Sequence, residues 1–208
     1  MLELLVSFLI SFVFLMVAVI IHEFAHGWVA YKLGDNTAKY EGRLTLNPLA
    51  HIDPIWTFLF PLFLFMSTQG RFIFGAAKPV PINYWALKNP RRDILLVGAS
   101  GPLANFILAF LFSLLVTWLK VNPYYGGAVI MNLIVINVVL GVFNLIPIPP
   151  LDGSRILMGL LPPRVASLYA SVEPYGFIVI IALLWLGVFD YILWPLVRLV
   201  LNLFGVSY

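Results

Sequence analysis

Residues 4–26 read LLVSFLISFVFLMVAVIIHEFAH: eighteen uncharged residues from Leu4 to Ile21, then His22, Glu23 and His26 on a segment that continues as helix towards Lys32. Ionisable groups in so apolar a helix are costly unless they are paired or have a function. Residues four apart share a helix face, so His22 and His26 can offer ring nitrogens to one metal ion with Glu23 beside them. That is the H-E-x-x-H pattern of zinc peptidases, here in a segment that reads as membrane-spanning. The helix is predicted from about Leu2 to Leu33, long enough for a hydrocarbon core of about 30 Å, and Gly34-Asp35-Asn36 ends it. The pattern lies nearer the C-terminal mouth of this helix than its middle, where water can reach it.

The composition agrees with a membrane setting. Apolar residues make up 62% of the 208 and charged residues 10%, with a mean hydropathy of +1.01. The expectation is one integral membrane unit, residues 1–208, with no second soluble domain and no internal repeat. Net charge is only +3 and the basic residues flank apolar segments, which points to a lipid surface and away from nucleic acid. There is no cysteine, so thiolate metal sites are excluded and His and carboxylate remain as strong zinc ligands. Glu3 replaces a basic leader region, and the apolar N-terminus is read as a retained anchor.

Further spans are expected at about 94–119 and 128–146, and C-terminal helices at 175–204, with one span to about Leu193 and a shorter interfacial or re-entrant helix after it. Tyr40 to Leu46 alternates enough to read as a short strand at the membrane surface, an interfacial loop being the other reading. The loop from Arg71 to Arg92 has room for one more strand. The fold class expected is thus an all-α polytopic membrane protein: a three-helix core, C-terminal helices, short surface strands and one segment, Ile55 to Gly70, too short for a full crossing.

A three-ligand zinc site needs one more protein ligand. Among the carboxylates, Asp152 stands out, because it follows a membrane helix directly, lies in the Pro-rich break from Pro147 to Gly153, and has Gly153 beside it. If Asp152 is the third ligand, the C-terminal ends of helix one and of the helix at 128–146 share one side. Ile55 to Gly70 is then re-entrant, interfacial or a doubled-back hairpin. Ten of the twelve basic residues fall on that same side, which charge asymmetry makes the cytoplasm. Asn105 and Asn144 are candidates for hydrogen-bonding an exposed substrate backbone or an oxyanion, with interhelical hydrogen bonding as the alternative.

These residues resemble the site-2 protease family of intramembrane zinc metalloproteases, peptidase family M50, in its short bacterial or archaeal form without PDZ or CBS domains. His22-Glu23-Phe24-Ala25-His26 matches its zinc motif. Asn144-Leu145-Ile146-Pro147-Ile148-Pro149-Pro150-Leu151-Asp152-Gly153 looks like its second motif, Gly101-Pro102-Leu103-Ala104-Asn105 is similar to the small-residue motif between them, and Asn47 to Pro54 looks like a linker of the short branch. The resemblance implies one Zn2+ held by His22, His26 and Asp152, Glu23 as catalytic base, surface strands that pair with an unwound substrate, and a transmembrane segment of another protein as that substrate. Regulated intramembrane proteolysis is the process implied. The competing reading is a non-proteolytic zinc-binding membrane protein for transport or sensing, which has little use for Glu23. A membrane di-iron oxygenase needs many histidines, and three are present. The sequence does not set the oligomeric state.

Overall fold

The computed structural model describes residues 2–67, 77–119 and 127–206. Nine α-helices fall within them: α1 Leu2–Leu33, α2 Thr37–Tyr40, α3 Phe60–Ser67, α4 Pro90–Leu119, α5 Ala128–Asn144, α6 Asp152–Leu160, α7 Pro163–Ala170, α8 Glu173–Trp185 and α9 Val188–Leu203. Helices α1, α4 and α5 pack against one another, α6 lies along α4, and α9 lies along α5.

Two helices, α1 and α4, are long and apolar enough to cross a membrane; α5 is a shorter apolar helix, and α7 with α8 forms a pair bent by 64°, the geometry of a broken span or a re-entrant loop. The distribution of side chains fits a lipid solvent. Leu9, Val13 and Val17 of α1 and Ile107, Leu111, Leu114 and Trp118 of α4 are exposed, whereas His22, His26, Asn105 and Asn137 are buried. Polar groups inside and apolar groups outside is what a bilayer demands of a helix bundle. The apolar packing is built by Ala109 of α4, Ile134, Val138 and Val142 of α5, and Val197 and Leu201 of α9.

The helix ends follow local chemistry. α1 stops at Gly34, whose φ of 116° only glycine adopts readily. The Asp35 N–H reaches the Ala30 carbonyl at 2.9 Å and the Gly34 N–H the Tyr31 carbonyl at 3.2 Å, which satisfies two of the terminal acceptors. α4 begins at Pro90, four residues ahead of the expected start, because proline suits the first turn and Asp93 accepts the Asn89 N–H at 2.8 Å.

Three expectations change. Tyr40 to Leu46 is not a strand: Gly42 adopts φ 65° and the Ala38 carbonyl accepts from both Arg43 N and Leu44 N, at 2.8 and 3.1 Å, so the chain folds on itself and alternation finds no sheet partner. No strand occurs among the described residues; of the strand considered between Arg71 and Arg92, residues 71–76 lie outside them and residues 77–83 form neither helix nor strand. The last apolar region breaks at Gly187, with φ 70°, and not near Leu193, while Pro195 is carried inside α9. A positive φ that suits glycine outweighed the proline as the breakpoint. The segment from Ile55 is a π-helical turn, Pro54–Leu59, running into α3, and residues 68–70 lie outside the described part. Its described part, Pro54–Ser67, is shorter than the roughly 20 residues of a full helical crossing.

Candidate metal centre

His22 and His26 stand one turn apart on α1 and both point into the seam with α4. The Nδ1–H of His22 donates to Asn105 Oδ1 at 2.6 Å. The Nδ1–H of His26 donates to the Val97 carbonyl at 2.7 Å, and Ser100 Oγ, 3.2 Å from the same nitrogen, donates to that carbonyl as well. Each histidine therefore keeps its proton on Nδ1 and turns the lone pair of Nε2 towards the other.

Asp152 is the first residue of α6 and offers a third candidate ligand atom. Its Oδ2 lies 3.0 Å from His22 Nε2 and 3.2 Å from His26 Nε2, and the two Nε2 atoms are 3.0 Å apart. Three electron-rich atoms this close repel one another unless a cation or protons lie between them. For a tetrahedral zinc with bonds of about 2.0–2.1 Å, neighbouring ligand atoms are about 3.3 Å apart. The observed triangle matches that size, so the donor set fits zinc. Among the described residues this is the group of three that could hold a metal.

The architecture around the triangle depends on small residues. A methyl group at Gly101 would lie 2.6 Å from His22 Nε2 and closer still to His26 Nε2, so only glycine lets α4 face the two imidazoles. At Gly98 an added Cβ would come within 3.1 Å of the Asp152 carbonyl oxygen, which fixes how closely α6 rides on α4. Gly153, beside Asp152, is equally constrained. Its site admits no side chain, because a Cβ there would meet the Leu145 carbonyl carbon at 2.5 Å and the Ile146 oxygen at 2.6 Å. Close approach of two backbones, and not an unusual backbone angle, is what requires glycine next to Asp152.

Glu23 is half-buried, and its Oε2 accepts the Val80 N–H at 2.8 Å. Asn105 is fully buried: besides accepting from His22 it donates to the Ala18 carbonyl at 3.1 Å and to Asn137 Oδ1 at 2.9 Å. Both of its N–H groups are therefore used within the bundle. Asn144 is half-buried at the end of α5 and donates to the Leu140 carbonyl of its own helix at 3.0 Å. It stays nearer the break that leads to Asp152.

Sequence reasoning passed over Asn137, Ser100, the Val97 carbonyl and Arg155. Asn137 was visible as a polar residue inside an apolar span, a signal with two readings; a backbone carbonyl leaves no signal at all. Arg155, one turn beyond Asp152, grips Glu173 at the start of α8 with both terminal nitrogens, Nη1 at 2.9 Å from Oε2, and sits 5.5 Å from the Tyr84 ring. Burial works against the Arg155 charge, but the hydrogen bond to Glu173 together with the negative charges of Glu173 and Asp152 and the nearby Tyr84 phenol holds the guanidinium above its ordinary pKa; burial pushes the Tyr84 phenol up. This pair ties the helix of the third ligand to α8.

Two imidazoles and a carboxylate converging between apolar helices, with a glutamate next to the first of them, make a zinc peptidase centre of the intramembrane type. Comparison with known proteins agrees. Residues 126–187 match the model of peptidase family M50. The chain is 43% identical over 192 residues to the protein named "Putative zinc metalloprotease YwhC" of Bacillus subtilis, covering 88% of this chain and 84% of that one. It is 31% identical over 170 residues to "Putative zinc metalloprotease Rip2" of Mycobacterium tuberculosis, covering 81% and 63% of the two chains. With "Zinc metalloprotease MJ0392" of Methanocaldococcus jannaschii the identity is 26% over 162 residues, 78% of this chain and 37% of that one. No solved structure matches. The chain belongs to peptidase family M50 and is a membrane-embedded zinc metalloprotease.

Proposed function

We propose that the chain is one membrane unit that hydrolyses a peptide bond within or near a transmembrane segment of another protein, in regulated intramembrane proteolysis. One zinc per chain is held by His22, His26 and Asp152, and Glu23 is the general base. The observation that carries this reading is the convergence of two Nε2 atoms and one carboxylate oxygen within 3.2 Å of one another inside apolar helices. Lipid offers such a cluster no solvation, so it is built for a cation.

Bound zinc supplies Lewis acidity and a water of lowered pKa. The chain's own part is proton movement and orientation. Glu23, one residue from the first ligand, takes a proton from the attacking water at its carboxylate and returns it to the leaving amine. Asn105 holds His22 in the tautomer that presents Nε2, and Val97 and Ser100 do the same for His26. With the amide N–H groups of Asn105 committed, Asn144 is the better placed of the two to meet a substrate backbone. A peptide bond in lipid is protected while it stays helical, so the substrate enters locally unwound.

The short helical segment Pro54–Ser67 is re-entrant or interfacial in this reading, which keeps Asp152 on the same side as His22 and His26. Basic residues crowd that side, and the site opens towards the cytoplasmic half of a bacterial or archaeal cell membrane. The test is cleavage of a single-pass model substrate by the purified chain in proteoliposomes. Wild type is expected to cut, and Glu23→Gln to keep its zinc and lose cutting; undiminished cutting by that variant overturns the assignment.

A further inference from the structure

Arg43 is the one buried Lys or Arg among the described residues, only 7% exposed, and no carboxylate pairs with it there. Burying a guanidinium without a counter-charge is expensive, so its contacts should matter. Its Nη2 donates to two backbone carbonyls in succession, Lys78 O at 2.6 Å and Pro79 O at 3.2 Å, while Nε finds no partner. The next residue along is Val80, whose N–H donates to Glu23 Oε2. Between Pro79 and Pro81, which have no N–H, Val80 is the only backbone donor available at that point.

The rest of this strap is pinned to the same frame. Lys78 N–H reaches the His51 carbonyl at 2.9 Å, and Asn83 N–H reaches buried Asp35 Oδ2 at 2.7 Å. The Val80 side chain is buried over Gly27, where an added Cβ would lie 3.0 Å from Val80 Cγ1. Gly27 directly follows His26. The strap therefore rests on the turn of α1 that carries the metal ligands, and Arg43 grips it immediately before the donor that holds Glu23.

We infer that Arg43 is a positioning residue for the hydrolytic reaction: it clamps the carbonyls of Lys78 and Pro79 so that the Val80 N–H fixes the carboxylate of Glu23 for proton transfer. The inference rests on Glu23 being the general base. It predicts a fault in turnover, because neither the metal ligands nor a substrate contact is touched. Lysine keeps the charge but loses the planar guanidinium whose Nη2 donates to both carbonyls.

Arg43→Lys, Arg43→Gln, Val80→Pro, the Arg43→Gln/Val80→Pro double variant and Glu23→Gln are compared in proteoliposomes for kcat, KM and zinc content on a single-pass model substrate. Misplacing a catalytic group by about 1 Å costs on the order of 100-fold, so Arg43→Gln is expected to lower kcat by about 10- to 100-fold. KM should stay within about twofold and zinc at the wild-type level, since the lost interaction acts only on turnover. Arg43→Lys should recover part of the loss. In the Val80→Pro background Arg43→Gln should cost almost nothing more, because both act through one hydrogen bond. Independent, multiplying losses overturn the clamp, as does a loss of zinc together with kcat, or wild-type turnover in Arg43→Gln. If Val80→Pro does not fold, the two Arg43 variants decide by the same kcat, KM and zinc criteria. An active Glu23→Gln overturns the general-base reading itself, whereas an inactive Glu23→Gln beside a fully active Arg43→Gln overturns only the clamp.

Discussion

Replacing Asn105 by leucine removes three hydrogen bonds at once: the acceptor for His22 Nδ1–H at 2.6 Å and the donations to Ala18 O and Asn137 Oδ1 at 3.1 and 2.9 Å. All three groups lie in a seam where Asn105 itself is fully buried, so water does not replace them freely. Loss of such an outer partner of a metal-bound histidine costs about 10- to 100-fold in metal affinity, or about 1.4–2.8 kcal/mol at 1.4 kcal/mol per decade. Asn105→Asp separates the effects, because a carboxylate still accepts from His22 but donates to neither Ala18 nor Asn137. Zinc affinity measured by competition with a chromophoric chelator in detergent should therefore fall by that factor in Asn105→Leu and by less in Asn105→Asp. Thermal melting should show both variants less stable than wild type. Wild-type zinc affinity in Asn105→Leu would refute the claim that this amide sets the His22 tautomer.

Gly101→Ala places a methyl group on the Nε2 atoms of both histidines; zinc bound per purified chain should drop well below wild type, and full occupancy would show that α4 can retreat. Gly153→Ala drives Cβ into the backbone at Leu145 and Ile146 and should destabilise the chain by roughly 1–3 kcal/mol, as overpacking does, read as a lower melting temperature together with weakened zinc binding. Asp152→Asn keeps the shape but removes the anionic ligand, so zinc is expected to leave at chelator concentrations that wild type resists. The chain has no cysteine, which makes a single cysteine at Asn89 a clean topology probe; labelling from the cytoplasmic side is expected, and labelling only from the outside contradicts the orientation proposed.

The cluster of the candidate site was legible because its chemistry is out of place in the sequence: His22, Glu23 and His26 stand out in an apolar helix, and Asp152, which the fold brings to the two histidines, stands out in a proline-rich break. The lengths of the apolar runs and the stops that follow them, Gly34-Asp35-Asn36 and the break at Pro147, placed α1 to the residue and α5 to within two residues of its end. Where the reading failed, the cause was competition between local signals. Alternation at Tyr40 to Leu46 suggested a strand, but a strand needs a neighbour, and the Ala38 carbonyl captured two N–H groups for a turn instead. The last span was expected to end near Leu193, yet α9 runs through that point and past Pro195, and the chain turns at Gly187. The partners of Asn105, for which interhelical hydrogen bonding was one of two readings, and those of Arg43 were beyond sequence reasoning for another reason. Each residue meets what lies opposite it after folding, a histidine 83 positions away for Asn105 and two carbonyls at least 35 away for Arg43.

The most direct test of the central claim is the zinc itself, measured by metal analysis and X-ray absorption on the purified wild-type chain and on Asp152→Asn. The account predicts close to one zinc per wild-type chain, with two imidazole nitrogens and carboxylate oxygen at about 2.0–2.2 Å, and an altered, weakened site in Asp152→Asn. A wild-type chain that binds no zinc, or an absorption spectrum that is identical in the two proteins, would contradict it.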